Sequence, residues 1–168
     1  YLPDTIREYF GDGSRFGVDI TYVEETSPLG TAGALSLIGT TITEPFLIAN
    51  GDILCDLRLS EMLEFHTYHK AMGTMAVQEH VYQNPFGVVE TKGVDITGFT
   101  EKPKWRTKIN AGLYVLKPDA LNALTYGENC TMPDLFSRLQ SKGDRVIAYP
   151  MLATWMDVGN PQDLLYAN

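Results

Sequence analysis

Three stretches of the 168-residue chain offer groups that could do chemistry. The first is Asn50-Gly51-Asp52, directly after the apolar run at residues 45–49. A carboxylate there projects from a rigid strand end, which suits Mg2+, a hard cation that prefers oxygen ligands. The second is Trp155-Met156-Asp157-Val158-Gly159, with an Asp in a similar setting. One Asp after a strand commonly serves only its own turn, through local hydrogen bonds. Two in like settings fit a two-carboxylate metal site, and spacing alone leaves open whether they converge. The third is Pro28-Leu29-Gly30-Thr31-Ala32-Gly33-Ala34. Gly30 and Gly33 let backbone approach a flat ligand closely, and N–H groups at the start of the following helix can meet phosphate or base edges. A tight turn with close helix–sheet packing uses the same glycines, and the spacing does not decide between the two.

Other candidates carry less. Glu101-Lys102-Pro103 puts opposite charges side by side, which by itself reads as a solvated loop. His66 and His69 stand i, i+3 on one helix, but no acidic or Cys partner follows at ligand spacing, so they read as helix-face residues. Cys55 and Cys130 match no zinc spacing and no disulfide framework, and read as two small buried residues. No nucleophile elbow, P-loop or dinucleotide fingerprint is present.

The elements that must position these residues follow from periodicity and punctuation. Residues 3–10 read as a helix entry, with Pro3 in the first turn and Asp4 at the positive end, stopped by Gly11-Asp12-Gly13. Residues 18–24 are β-branched, aromatic and alternating, which predicts a strand. Residues 31–38 predict a helix, and residues 45–50 a short strand buried on both faces. Residues 59–70 predict an amphipathic helix with Ser60 as N-cap and Leu59, Met62, Leu63 and His66 near one face. Strands are expected at 73–78 and 110–116, with an antiparallel pair at 86–90 and 96–100 around Lys92-Gly93. Helices follow at 118–124 and at 132–142, the latter closed by Gly143. A strand at 145–149, an extended stretch at 155–159 and a helix opened by Pro161 complete the chain. Alternating strands and helices imply a layered α/β fold with a mixed, mostly parallel sheet.

Length fits one domain with a full core. The net charge of −8 argues against nucleic acid or an anionic membrane as a partner, since both favour clustered cations. It leaves room for a phosphorylated small molecule, because a bound divalent metal supplies positive charge. No apolar stretch approaches the roughly 20 residues of a membrane helix, and no signal peptide is visible. Reduced thiols suit a cytoplasmic protein.

Taken in order, these pieces resemble the sugar-1-phosphate nucleotidyltransferases. The matching text is Glu24-Glu25 with residues 28–35, then Asn50-Gly51-Asp52, Phe86-Gly87-Val88-Val89-Glu90, Glu101-Lys102-Pro103, Asn110-Ala111-Gly112-Leu113-Tyr114-Val115 and Trp155-Met156-Asp157-Val158-Gly159. Any one is weak, and six in order is a strong signal. The wording is closest to the mannose-1-phosphate guanylyltransferase-like branch. The resemblance implies a Rossmann-like three-layer sandwich and transfer of a nucleoside monophosphate from a nucleoside triphosphate to a sugar 1-phosphate, releasing pyrophosphate. The attack is in line, with no covalent enzyme intermediate, so the protein positions groups and neutralises charge.

By the same resemblance, Asp52 and Asp157 hold Mg2+ and, with Lys102, form the catalytic set. Asp52 also belongs to the nucleotide site, with Glu25, Gly30, Thr31 and Gly33. Lys102 contacts the sugar phosphate and Glu101 the sugar hydroxyls, with Gly87, Asn110, Gly112 and Trp155 shaping that pocket. Glu25 adds a base preference. A carboxylate only accepts hydrogen bonds, and guanine offers two adjacent donors on its Watson–Crick edge, so GTP is expected over dTTP.

The family opens with a strand and a glycine-rich loop whose Arg and Lys cradle the triphosphate, and no such text precedes residue 28 here. Residues 1–168 are therefore expected to be the C-terminal two-thirds of a single nucleotidyltransferase domain. Alone they should be inactive, with an apolar sheet edge open to self-association as a homo-oligomer. Two rival readings stand beside this one. A glycosyltransferase of related fold usually shows Asp-x-Asp at the metal strand, where this chain has Gly51-Asp52-Ile53-Leu54. A sugar-nucleotide-sensing domain would bind without turnover.

Overall fold

The computed structural model describes residues 3–38 and 42–166. Their contacts divide the chain into two compact units, one of residues 1–44 and 118–143, the other of residues 45–117 and 144–168. The second unit holds a four-stranded sheet. Its strands are β1 (Phe46–Ala49), β3 (Gly73–Gln83), β6 (Lys104–Leu116) and β7 (Val146–Met151), in the order β1-β6-β3-β7. β1 and β3 both run antiparallel to β6, and β7 runs parallel to β3. The expected mixed sheet is present, and three of its four strands point one way. Because β6 lies between two of them, two of the three pairings are nevertheless antiparallel.

Alternation on β3 and β6 sends Ala76, Leu113 and Val115 into a buried cluster with Met62, Ala111 and Met151. The helix over this face is α3 (Leu59–His69), which buries Met62 and His66. His66 is fully buried, and its Nδ1 lies 2.8 Å from the Thr74 hydroxyl on β3. Sequence reading placed Ser60 at the N-cap of this helix. The cap is Arg58, in extended conformation and without a side-chain hydrogen bond, so Ser60 falls inside the first turn. β1, expected to be buried on both faces, is half-buried, because β6 pairs it on one side and it ends the sheet.

Two smaller ladders complete this unit. β2 (Ile53–Cys55) pairs antiparallel with β8 (Trp155–Asp157), and β4 (Val88–Lys92) with β5 (Asp95–Thr100). The β4–β5 hairpin forms around Lys92-Gly93 as expected, with Gly93 at φ 64. Cys55 sits on β2 and is exposed, against expectation, since a two-stranded ladder has no layer over each face; Cys130 is buried. The last described element is helix α5 (Pro161–Tyr166).

The first unit begins with helix α1 (Pro3–Phe10), stopped at Gly11 and Gly13 in left-handed conformation. The strand expected at 18–24 does not form. Among the described residues no strand pairs with it, and β-propensity without a ladder leaves the backbone irregular. The helix expected at 31–38 is one α-turn, α2 (Gly30–Gly33), running into a 3-10 segment (Ala34–Leu37). That expected at 118–124 is a 3-10 helix (Pro118–Ala123). The longest helix here is α4 (Met132–Ser141), which buries Met132, Leu135, Phe136 and Leu139 at helical spacing. Its start is fixed by a reciprocal cap. Asp134 N–H donates to the Thr131 hydroxyl, and Thr131 N–H donates to the Asp134 carboxylate at 3.0 Å.

Candidate active site

In the second unit, the two metal-candidate aspartates meet through the small β2–β8 ladder. Ile53 faces Asp157 in register, and Val158 N–H donates to the Asp52 carbonyl at 2.8 Å. The backbones of Asp52 and Asp157 thus stand one residue apart across one ladder end. Both side chains are exposed. Among the described residues neither carboxylate takes a hydrogen bond or ion pair, and no group of three or more His, Cys, Asp or Glu residues could hold a metal. Two free carboxylates with no nitrogen or sulfur ligand fit a hard cation that keeps water or phosphate oxygens for its other positions.

The Asn110-Ala111-Gly112 text makes a bulge in β6. Between Met75 and Val77 β3 advances two residues, while β6 runs four, from Tyr114 to Asn110. The extra residues turn at Gly112, whose φ is 74. A Cβ there would crowd Asn50 Nδ2 and Ile53 Cγ1 at 3.0 Å and would be strained at this φ, so glycine suits the close approach of β6 to the Asn50-Gly51-Asp52 turn. Asn50 N–H donates to the Gly112 carbonyl at 2.9 Å, and the Trp155 indole N–H to the Ala111 carbonyl at 2.8 Å. Asn110 is oriented from both ends: its Oδ1 accepts Gly112 N–H, and its Nδ2 donates to the buried Tyr114 hydroxyl at 2.7 Å. Bulges commonly re-aim side chains beside functional sites.

Glu101, Lys102 and Gly87 lie where the β4–β5 hairpin joins β3 and β6. Glu101 Oε2 sits 2.9 Å from where a Gly87 Cβ would stand, so the carboxylate lies against bare backbone. Lys102 has φ 44, a left-handed conformation rare for a residue with a side chain. Its Nζ is 4.0 Å from Glu101 Oε1, and both side chains remain largely exposed.

In the first unit, Glu25 Oε2 accepts the Leu29 N–H at 3.1 Å and closes the turn before α2. Gly30 has φ 75, and a Cβ there would lie 2.7 Å from the Cys130 carbonyl; one on Gly33 would lie 2.5 Å from the Glu128 carbonyl. Ala32 and Gly33 N–H groups donate to the Cys130 carbonyl, and the Thr31 hydroxyl accepts Met132 N–H at 2.8 Å. Close packing of α2 on residues 128–132 therefore accounts for both glycines in the structure. Burial pushes the Cys130 thiol above its ordinary pKa, which makes it a poor nucleophile. Reading the sequence gave Tyr114 no role of its own, although it lies inside the Asn110–Val115 text, and missed residues 128–132 as a support because that segment carries no motif.

A mixed α/β sheet with carboxylates at a strand end and a glycine bulge beside them is the frame of a nucleotide-sugar transferase fold. HddC from Yersinia pseudotuberculosis shares it with a TM-score of 0.71 at 20% identity, over 99% of this chain and 73% of that one. The family model for nucleotidyl transferases matches residues 1–168. Mannose-1-phosphate guanyltransferase beta-A of Xenopus laevis is 34% identical over 173 residues, covering 98% of this chain and 48% of that protein. The mannose-1-phosphate guanylyltransferase catalytic subunit beta of Danio rerio is 34% identical over 173 residues, with 98% and 48% covered. The chain belongs to the nucleotidyl transferase family. It spans about half the length of the curated relatives it matches.

Proposed function

We propose that the protein transfers a nucleoside monophosphate, with GTP the favoured donor, to a sugar 1-phosphate, and that residues 1–168 form one nucleotidyltransferase domain. The observation that carries this is the juncture of the β2–β8 ladder with the β6 bulge. Asp52 and Asp157 share one ladder end, and Asn110 and Gly112 are fastened to that ladder through Asn50 and Trp155. The family model and the guanylyltransferase relatives support the same reaction.

Asp52 and Asp157 would hold Mg2+, which when bound offsets phosphate charge. Lys102 supplies a point charge for the sugar phosphate. Glu101 accepts from sugar hydroxyls across the bare Gly87 backbone, and Asn110 enters the pocket oriented by Tyr114. In the first unit Glu25 reads the base, its acceptor oxygens fitting guanine, while Gly30, Thr31 and Gly33 shape the nucleotide loop. No helix among the described residues is long and apolar enough to cross a membrane, and we place the enzyme in the cytoplasm, where its two free thiols stay reduced.

The test is pyrophosphate release by the full-length parent with five nucleoside triphosphates against a panel of sugar 1-phosphates and Mg2+. Release with GTP and one sugar, abolished in Asp52→Ala, is the expected result. Tight nucleotide binding with no release from any pair would instead favour a sensing domain.

A further inference from the structure

The β3–β6 pairing outruns the rest of its sheet. β7 pairs with β3 only as far as Gln78, and β1 with β6 only as far as Leu113. β3 and β6 stay paired out to Gln83 and Lys104. Residues 79–83 and 104–108 thus form a two-stranded ribbon, and all ten residues are exposed. Strand alternation sorts them onto two faces. One carries Trp105 stacked on Tyr82, with ring centroids 5.9 Å apart. The other carries Lys104, Arg106 and Lys108 opposite Gln83, Val81 and Glu79. Glu79 is the only acid on that face, and it pairs with Arg106 at 2.8 Å. In a chain of net charge −8 this face is locally cationic.

Its position in the chain gives it a direction. The row lies between Lys102, proposed above for the sugar phosphate, and Asn110, proposed above to shape its pocket, and Asn110 continues the same strand alternation as Lys108. We propose that this ribbon face is an electrostatic capture surface for the phosphate group of the sugar substrate, with Lys108 its principal residue. The proposal rests on the nucleotidyltransferase reading. An anion approaching a chain of net charge −8 is repelled at long range, and a local cationic row reverses that where the substrate must enter.

Magnitudes separate the three cations. At about 3.4 Å per residue, Lys108 stands about 7 Å from Asn110 along the strand, Arg106 about 14 Å and Lys104 about 20 Å. Screening in physiological salt has a length of about 8 Å. Lys108 therefore acts, even in salt, on a sugar phosphate entering the pocket beside Asn110. Arg106 is farther and is the cation that ion-pairs with Glu79, which stands opposite Lys108 in register but forms no ion pair with it, and Lys104 contributes only at low ionic strength.

The experiment measures kcat/KM for the sugar phosphate in the full-length parent, from about 20 to 200 mM salt, a range that spans this screening. Lys108→Gln is expected to lower it about fivefold at low salt and to flatten its salt dependence. Lys108→Arg should restore both, and Lys104→Gln should show a smaller loss confined to low salt. Lys92→Gln, on the hairpin away from the row, should match wild type. The Lys108→Gln effect should spare kcat/KM for the nucleotide. A salt slope in Lys108→Gln equal to wild type overturns the proposal. So does a loss shared equally by both substrates, or one that Lys108→Arg does not restore. A wild-type parent silent at every salt sinks the nucleotidyltransferase reading, and the capture role falls with it.

Discussion

The indole N–H of Trp155 donates to the carbonyl of Ala111 at 2.8 Å, tying the strand that carries Asp157 to the bulge that carries Asn110 and Gly112. Ala111 is fully buried and stands outside both ladders of β6, so its carbonyl has the indole in place of a strand partner. Trp155→Phe keeps the ring and removes the donor. Leaving a buried carbonyl unpaired costs about 1–3 kcal/mol. Urea unfolding should show that loss, and the full-length parent should show a raised KM for the sugar phosphate, because Asn110 and Gly112 lose their anchor. Unchanged unfolding with an unchanged KM would mean the indole only fills space.

How far the sequence could be read varies by element. The placement of the two aspartates at strand ends was legible from motif order, whereas the β6 bulge was not, because residues 110–116 read as one unbroken strand and only the pairing with β3 shows the extra residues. Residues 79–83 and 104–108 were not read as strand. A ribbon with both faces open carries no apolar alternation, and Lys104, Arg106 and Lys108 look like a solvated loop. Residues 18–24 failed in the opposite direction, with strong strand propensity and no ladder among the described residues. The glycines at 30 and 33 could not be resolved by spacing, since a ligand and a neighbouring segment demand the same missing Cβ. Only the Cys130 and Glu128 carbonyls show which neighbour is there.

Gly30→Ala tests that packing. The new methyl group would sit 2.7 Å from the Cys130 carbonyl, and φ 75 is itself strained for an L residue. Backbone cannot yield as a side chain end can, so a loss of about 2–4 kcal/mol is expected in denaturant unfolding, from strain and clash together. Gly127→Ala is the control. Its φ of 69 carries the same strain, but nothing lies within 4 Å of the added carbon, and its cost should stay near about 1 kcal/mol. Equal losses would assign the whole effect to φ.

His66 makes stability depend on pH. Burial, with help from the positive charge of Lys117, holds its pKa below the ordinary 6.5. The unfolded chain therefore binds more protons than the folded one as pH drops below about 6.5, and stability falls with pH in that window. Its Nε2 has no partner among the described residues, so a proton there meets no acceptor. Thermal unfolding from pH 7.5 to 5 should show a falling midpoint, and His66→Gln should flatten that fall while lowering stability at pH 7.5. A slope unchanged by His66→Gln would move the cause to another group.

Asp52 and Asp157 should be expendable for folding and indispensable for metal. Among the described residues neither carboxylate has a hydrogen bond or ion pair, and both are exposed. The β2–β8 ladder between them is backbone, held by the Asp52 carbonyl and Val158 N–H. Asp157→Asn should then shift unfolding free energy by no more than about 0.5 kcal/mol, as for surface changes away from special features. Removing one of two like charges that stand one residue apart favours a slight gain. Metal binding should respond quite differently. Asp157→Asn should abolish Mn2+-induced relaxation enhancement of water protons around the 168-residue chain. In the full-length parent it should lower kcat at least about 100-fold, the scale of losing one preorganised electrostatic group. Chelation of the wild type with EDTA should reach the same floor, reversed by excess Mg2+. Strong Mn2+ enhancement persisting in Asp52→Asn, Asp157→Asn together would place the ion elsewhere in the chain.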